Sequence, residues 1–158
     1  MATTQKKHSA FGIGLIAFVL AIGVSIGYFQ FVYLPFINLK PSVPEEILNP
    51  AEVTEVRIIS GSATPEQEDN FIPRLVTSEL SVNNKIVWIN DDEVGHTVTT
   101  DDDAVDPWSG RFDSLETIGL VQPGQTFEFL FTHEGEYPYH CVPHPWMTGI
   151  VKIGRAKF

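Results

Sequence analysis

The sequence predicts an all-β sandwich domain preceded by one membrane-spanning helix. Three observations carry this expectation. An apolar, uncharged run lies near the start of the chain, short β-type runs separated by turn residues fill the rest, and no long amphipathic helix interrupts them.

The apolar run comes first. From Ser9 to Leu39 there is no Asp, Glu, Lys, Arg or His, and residues 11–37 are dominated by Phe, Ile, Leu, Val, Ala and Gly. A bilayer core needs roughly 20 apolar residues in a helix, so the run spans with tilt to spare. Lys6 and Lys7 precede it, whereas Lys40 and then Glu45 and Glu46 follow. The positive-inside rule then places residues 1–10 in the cytoplasm and the remainder on the extracellular or periplasmic side. A cleaved signal peptide has an apolar core of about 7–15 residues and an A-x-A-like exit. This core is longer, and only Gly23-Val24-Ser25 offers small residues at a suitable interval, so an uncleaved anchor is expected. Gly23 and Gly27 form a G-x-x-x-G pair, a weak signal for helix pairing.

Residues 38–52 contain Pro41, Pro44 and Pro50 and read as a semi-extended linker. The domain is expected over 53–158. Its strands are read at Val53 to Ile59, Leu75 to Val82, Lys85 to Asn90, His96 to Thr100, Thr126 to Thr132, Tyr137 to Cys141 and Gly149 to Ile153. Many short strands at this spacing indicate an antiparallel sandwich or barrel. Alternation puts Phe127, Phe129 and Phe131 on one buried face. It turns Tyr137, Tyr139 and Cys141 one way and Pro138 and His140 the other.

The chain has 158 residues and a formal charge of -10. The length suits one domain with an accessory segment, and the charge disfavours nucleic acid as a partner. A single cysteine, Cys141, excludes an internal disulfide. It is therefore a metal ligand, a nucleophile or an inert core thiol.

The densest feature is Tyr139-His140-Cys141-Val142-Pro143-His144-Pro145-Trp146-Met147. A thiolate binds copper strongly, imidazole suits both its common oxidation states, and a thioether gives a weak axial contact. One Cys and two His with a distant Met make a type 1 (blue) copper arrangement. The loop supplies Cys141, His144 and Met147. His96 is the best remaining imidazole, because it begins an expected strand after the polar turn Asp91-Asp92-Glu93-Val94-Gly95.

On these residues, roughly 53–154 resembles the cupredoxin family. The Cys-x-x-His-x-x-Met spacing is similar to the short ligand loop of amicyanins and shorter than that of plastocyanins. The tethered arrangement resembles membrane-anchored archaeal cupredoxins. The resemblance implies an eight-stranded Greek-key sandwich. It also implies one copper, cycling between Cu(I) and Cu(II), on His96, Cys141, His144 and Met147. Many family members carry Asn after the first His, bonding across to the ligand loop; here that position is Thr97. A hydroxyl residue often follows the cysteine; here it is Val142.

The resemblance further implies a one-electron carrier rather than an enzyme. His144 would be the electron port, and Pro143, Pro145 and Trp146 would form an apolar patch that docks redox proteins of a respiratory or oxidase chain. Trp108 is read either as part of that patch or as a core plug. His140, beside the cysteine, occupies the place where nitrite reductases and multicopper oxidases hold a second copper. A nitrite-reductase-like subunit and a copper-delivery protein are therefore the alternatives. An oxidase binuclear site needs two cysteines, and a Cys-His hydrolase needs an accessible one.

Overall fold

The computed structural model describes residues 6–37 and 42–156. The chain divides into two units between Lys40 and Pro41. Residues 1–5, the start of the expected linker (38–41, with Lys40) and residues 157–158 lie outside the described residues.

The first unit is helical. Helix α1 spans Lys6–Tyr28, a π-helical stretch covers Phe29–Tyr33, and α2 spans Leu34–Ile37. Pro35 has no N–H to give the Phe31 carbonyl, so the α ladder cannot continue through it. The backbone widens just before it, and Leu34 N–H reaches Phe29 O five residues back. Gly12–Ile37 is long and apolar enough to cross a membrane. Its large side chains, Phe18, Leu20, Ile26 and Phe31 among them, are exposed, as a lipid-facing helix requires.

The second unit is a sandwich of two four-stranded sheets. The first holds β1 (Val53–Ile58), β2 (Phe71–Ile72), β4 (Lys85–Asn90) and β8 (Thr126–Leu130) in the order β2-β1-β4-β8. The second holds β3 (Leu75–Glu79), β5 (Thr99–Thr100), β9 (Gly135–His140) and β10 (Thr148–Gly154) in the order β3-β10-β9-β5. A two-stranded ribbon pairs β6 (Val105–Asp106) with β7 (Gly110–Arg111).

The sheets are mixed, not wholly antiparallel as the sequence suggested. Strands β1 and β4 run parallel, as do β3 and β10. The chain leaves the first sheet after β2, forms β3 in the second, and returns in the original sense as β4.

Alternation works as expected in the core. Val56 and Ile58 of β1, Ile86 and Trp88 of β4, and Phe127 and Phe129 of β8 point inward. Val76, Tyr139, Val151 and Ile153 face them from the second sheet. Trp88 meets Tyr139 edge-on at 5.5 Å between ring centroids, and Phe112 lies 5.4 Å and 5.9 Å from the two. Gly149 is opposite Tyr139 in the β9–β10 register, where a Cβ would collide with the ring.

Two expectations change in detail. Residues 45–48, read as part of an extended linker, form a helical turn (α3, Glu45–Leu48). Its Ile47 carbonyl accepts from the buried amide of Asn84, which also donates to Phe131 O. The stretch His96–Thr100 is a strand only at Thr99–Thr100. Its backbone N–H groups are diverted before that. His96 pairs with Val121 as an isolated bridge, Thr97 N–H points at Cys141 Sγ, and Val98 N–H donates to Ser114 Oγ.

Candidate metal centre

Three side chains converge at one end of the sandwich. His96 arrives from the 91–95 loop, which Asn90 organises: its amide donates to Val94 O (2.7 Å) and Val121 O (2.8 Å) and accepts from Asp92 N (2.9 Å). Cys141 lies just beyond β9, one residue past His140. It continues the inward side of that strand, so it is fully buried next to Tyr139.

The loop after Cys141 is closed by its own backbone. His144 N–H donates to Cys141 O (3.2 Å), Met147 N–H to His144 O (2.9 Å), and Cys141 N–H to Met147 O (3.1 Å). This turn brings His144 Nδ1 to 3.5 Å from Cys141 Sγ and 3.1 Å from His96 Nδ1. His96 Nδ1 is 3.6 Å from the sulfur. All three donor atoms lie within 4.8 Å of one another. Met147 is fully buried in the same loop.

Electrostatics favour neutral imidazole at His96. Burial pushes its pKa down, and proximity to His144 adds to this against the opposing pull of Asp92. Burial raises the Cys141 thiol, although N–H groups of Thr97 and His144 offset part of that rise. Metal uptake must therefore displace the thiol proton. Asp92 is buried, which would raise its pKa. N–H groups of Gly61, His96, Glu93 and Ala63 outweigh that and hold it below the usual carboxylate value. One thiol sulfur and two imidazole nitrogens, all facing one point, form a donor set suited to copper.

The chain matches the model of copper-binding proteins of the plastocyanin/azurin family over residues 66–154. It belongs to that family. The cofactor is accordingly copper, one per chain, and the fold is that of a cupredoxin. Amicyanin from Paracoccus denitrificans is 28% identical over 116 residues, covering 72% of this chain and 79% of that protein. A purple cupredoxin from Nitrosopumilus maritimus is similar in structure, with a TM-score of 0.51 at 26% identity, over 64% of this chain and 99% of the other. A copper-containing nitrite reductase from Thermus scotoductus matches 74% of this chain but 28% of its own, with a TM-score of 0.50. At 18% identity that likeness concerns the fold alone.

Thr97 takes over the cross-loop bond that many cupredoxins give to Asn. Its Oγ1 accepts from Val142 N–H at 2.8 Å. It also lies 3.3 Å from the Thr99 hydroxyl, which donates to Asp113 Oδ1 at 3.1 Å. The Thr99 hydroxyl is the donor toward both Thr97 and Asp113, so Thr97 Oγ1 is an acceptor from Val142 N–H and from Thr99. Thr97→Val keeps the shape but leaves the Val142 N–H without its partner. It is expected to cost about 1–3 kcal/mol in urea unfolding of the copper-free chain.

His140 points away from the cluster, as alternation required. Its Nδ1 pairs with Asp101 Oδ1 on the outer side of the second sheet. Pro143 and Pro145 are exposed, while His144 and Trp146 are half-buried with ring centroids 5.3 Å apart. Trp108 is half-buried, outside the central core cluster.

The sequence reading did not single out the acceptor behind His96. Nε2 of His96 lies 2.8 Å from Asp92 Oδ2. The four-residue separation was visible, but it falls in a loop rather than a helix, so no periodicity marked it.

Proposed function

We propose that this protein is a membrane-tethered one-electron carrier. Its copper is held by His96, Cys141 and His144, with Met147 as the weak axial group. The observation that carries this reading is the convergence of one sulfur and two Nδ1 atoms within 4.8 Å, on a loop closed by its own backbone. Copper in such a site supplies reversible one-electron exchange. The protein's part is to hold the donors still and keep water out: Cys141, His96 and Met147 are fully buried.

Half-buried His144 is the electron port, and exposed Pro143 and Pro145 with Trp146 form the contact face. Val142 and Val94 are also exposed, which extends the apolar character of this end. The patch packs against redox proteins of a respiratory or oxidase chain, and surrounding acid steers the encounter. The apolar helix anchors the domain, with residues 1–10 cytoplasmic, the stretch before the helical turn Glu45–Leu48 as the tether and the copper domain on the outer side. Amicyanin and the purple cupredoxin support the carrier reading by likeness.

The test is metal titration and voltammetry of the full chain in detergent. One copper per chain, an intense thiolate-to-copper band and a reversible one-electron wave are expected. Two coppers per chain would instead favour the nitrite-reductase-like reading through His140. Ready loss of copper to chelators without that band would favour delivery.

A further inference from the structure

Asp92 is a buried carboxylate, its side chain 5% exposed, beside a His96 side chain that is wholly buried. A carboxylate so placed is costly unless its lone pairs are filled. Here four N–H groups are ranged around its two oxygens. Oδ1 accepts from Gly61 N (2.9 Å) and Glu93 N (2.9 Å). Oδ2 accepts from Ala63 N (3.3 Å) and is 2.8 Å from His96 Nε2. Two oxygens already receiving backbone N–H groups act as acceptors, so His96 Nε2 is the donor in this pair. That leaves Nδ1, which faces Cys141 Sγ and His144 Nδ1, with its lone pair free.

The backbone that fixes Asp92 also touches the other side of the centre. Ser62, between Gly61 and Ala63, accepts from the Trp146 indole at 3.0 Å through its carbonyl. Its own hydroxyl is turned back onto Ile59 O and Asn70 O. Residues 61–63 therefore tie the His96 loop and the Cys141–Met147 loop to one short piece of chain.

We propose that Asp92 is a positioning residue for the copper centre: seated by the N–H groups of loop 61–63, it locks His96 in the Nε2–H form with Nδ1 turned to the metal position. This rests on the copper reading given above. A charged hydrogen bond behind an imidazole makes its free nitrogen a stronger donor, and groups of this kind are worth about 10–100-fold in metal affinity. The negative charge also favours the more highly charged, oxidised copper. Asn cannot replace Asp92 quietly, because whichever way its amide turns, an NH2 meets two N–H donors.

The copper-free full chain, labelled with 15N-histidine in detergent, tests the tautomer directly. His96 is expected to carry its proton on Nε2 alone. A proton on Nδ1, or exchange between both tautomers, would overturn the proposal whether or not copper binds. In the copper-loaded protein, Asp92→Asn is expected to shift the one-electron equilibrium at least tenfold toward the reduced form, about 59 mV upward. An Asp92→Asn protein that loads copper with unchanged potential and spectrum would reduce Asp92 to a loop staple and overturn the proposal. Should that variant fail to fold, the tautomer of the unsubstituted chain decides alone.

Discussion

Cys141→Ser is expected to abolish the intense visible band of the copper-loaded protein. That band arises from charge transfer between thiolate and copper, and Cys141 is the chain's single thiol. Serine is a hard, weakly acidic oxygen donor, and soft thiolate is what selects copper at such sites. Copper affinity should fall by more than the roughly 10–100-fold that loss of an outer hydrogen-bond partner costs. The fold should survive, because serine still accepts from Thr97 N–H at the same place. Visible spectra and isothermal titration with Cu(II) check both effects, and a band that persists in Cys141→Ser would refute the ligand assignment.

Trp88→Ala is expected to remove about 3–5 kcal/mol of stability from the copper-free domain. Trp88 is the largest of the fully buried side chains and stands where the two sheets meet. Its ring lies within 5.6 Å of the rings of Phe112, Phe127 and Tyr139. Alanine leaves a cavity between the sheets that these rigid neighbours cannot close. Since a whole domain is stable by only about 5–15 kcal/mol, the loss should be plain in urea unfolding. It should also loosen the centre from below, because Tyr139 precedes Cys141 by two residues on the same face of the chain. A loss under about 1 kcal/mol would mean that the aromatic cluster is not the main tie between the sheets.

Much of this fold is readable from the chain because its central strands obey a period of two. Val56 and Ile58, Ile86 and Trp88, Phe127 and Phe129, and Val151 and Ile153 each announce an inward face, and each is buried. Strands β2, β6 and β7 escaped notice because two residues cannot display a period. The parallel pairings escaped because strand direction depends on where the chain crosses between sheets, which no local pattern records. His96 looked like the start of a strand because its neighbours are β-branched. Its stretch instead sends N–H groups to a thiol and a hydroxyl, a choice made by residues 141 and 114, far along the chain.

The proposed metal cluster was readable for a different reason. Cys141, His144 and Met147 are so close in sequence that their chemistry is visible without any fold. His96 was legible only from its place at the start of an expected strand after a polar turn, and the structure brings its Nδ1 to 3.1 Å from that of His144. What the sequence could not supply is the packing around these groups. Asp92 acts through its carboxylate, Ser62 through its carbonyl and Thr97 through its hydroxyl, groups whose value depends on position alone.

The proposed ligand loop is closed by three bonds that use only backbone groups of Cys141, His144 and Met147. None of them needs the side chains at 142, 143 or 145, all of which face outward. The shape of the socket and the character of its outer face are therefore separate properties of one seven-residue segment. Evolution, or a designer, can rewrite those three positions to suit a new redox partner while leaving the electron's resting place as it is.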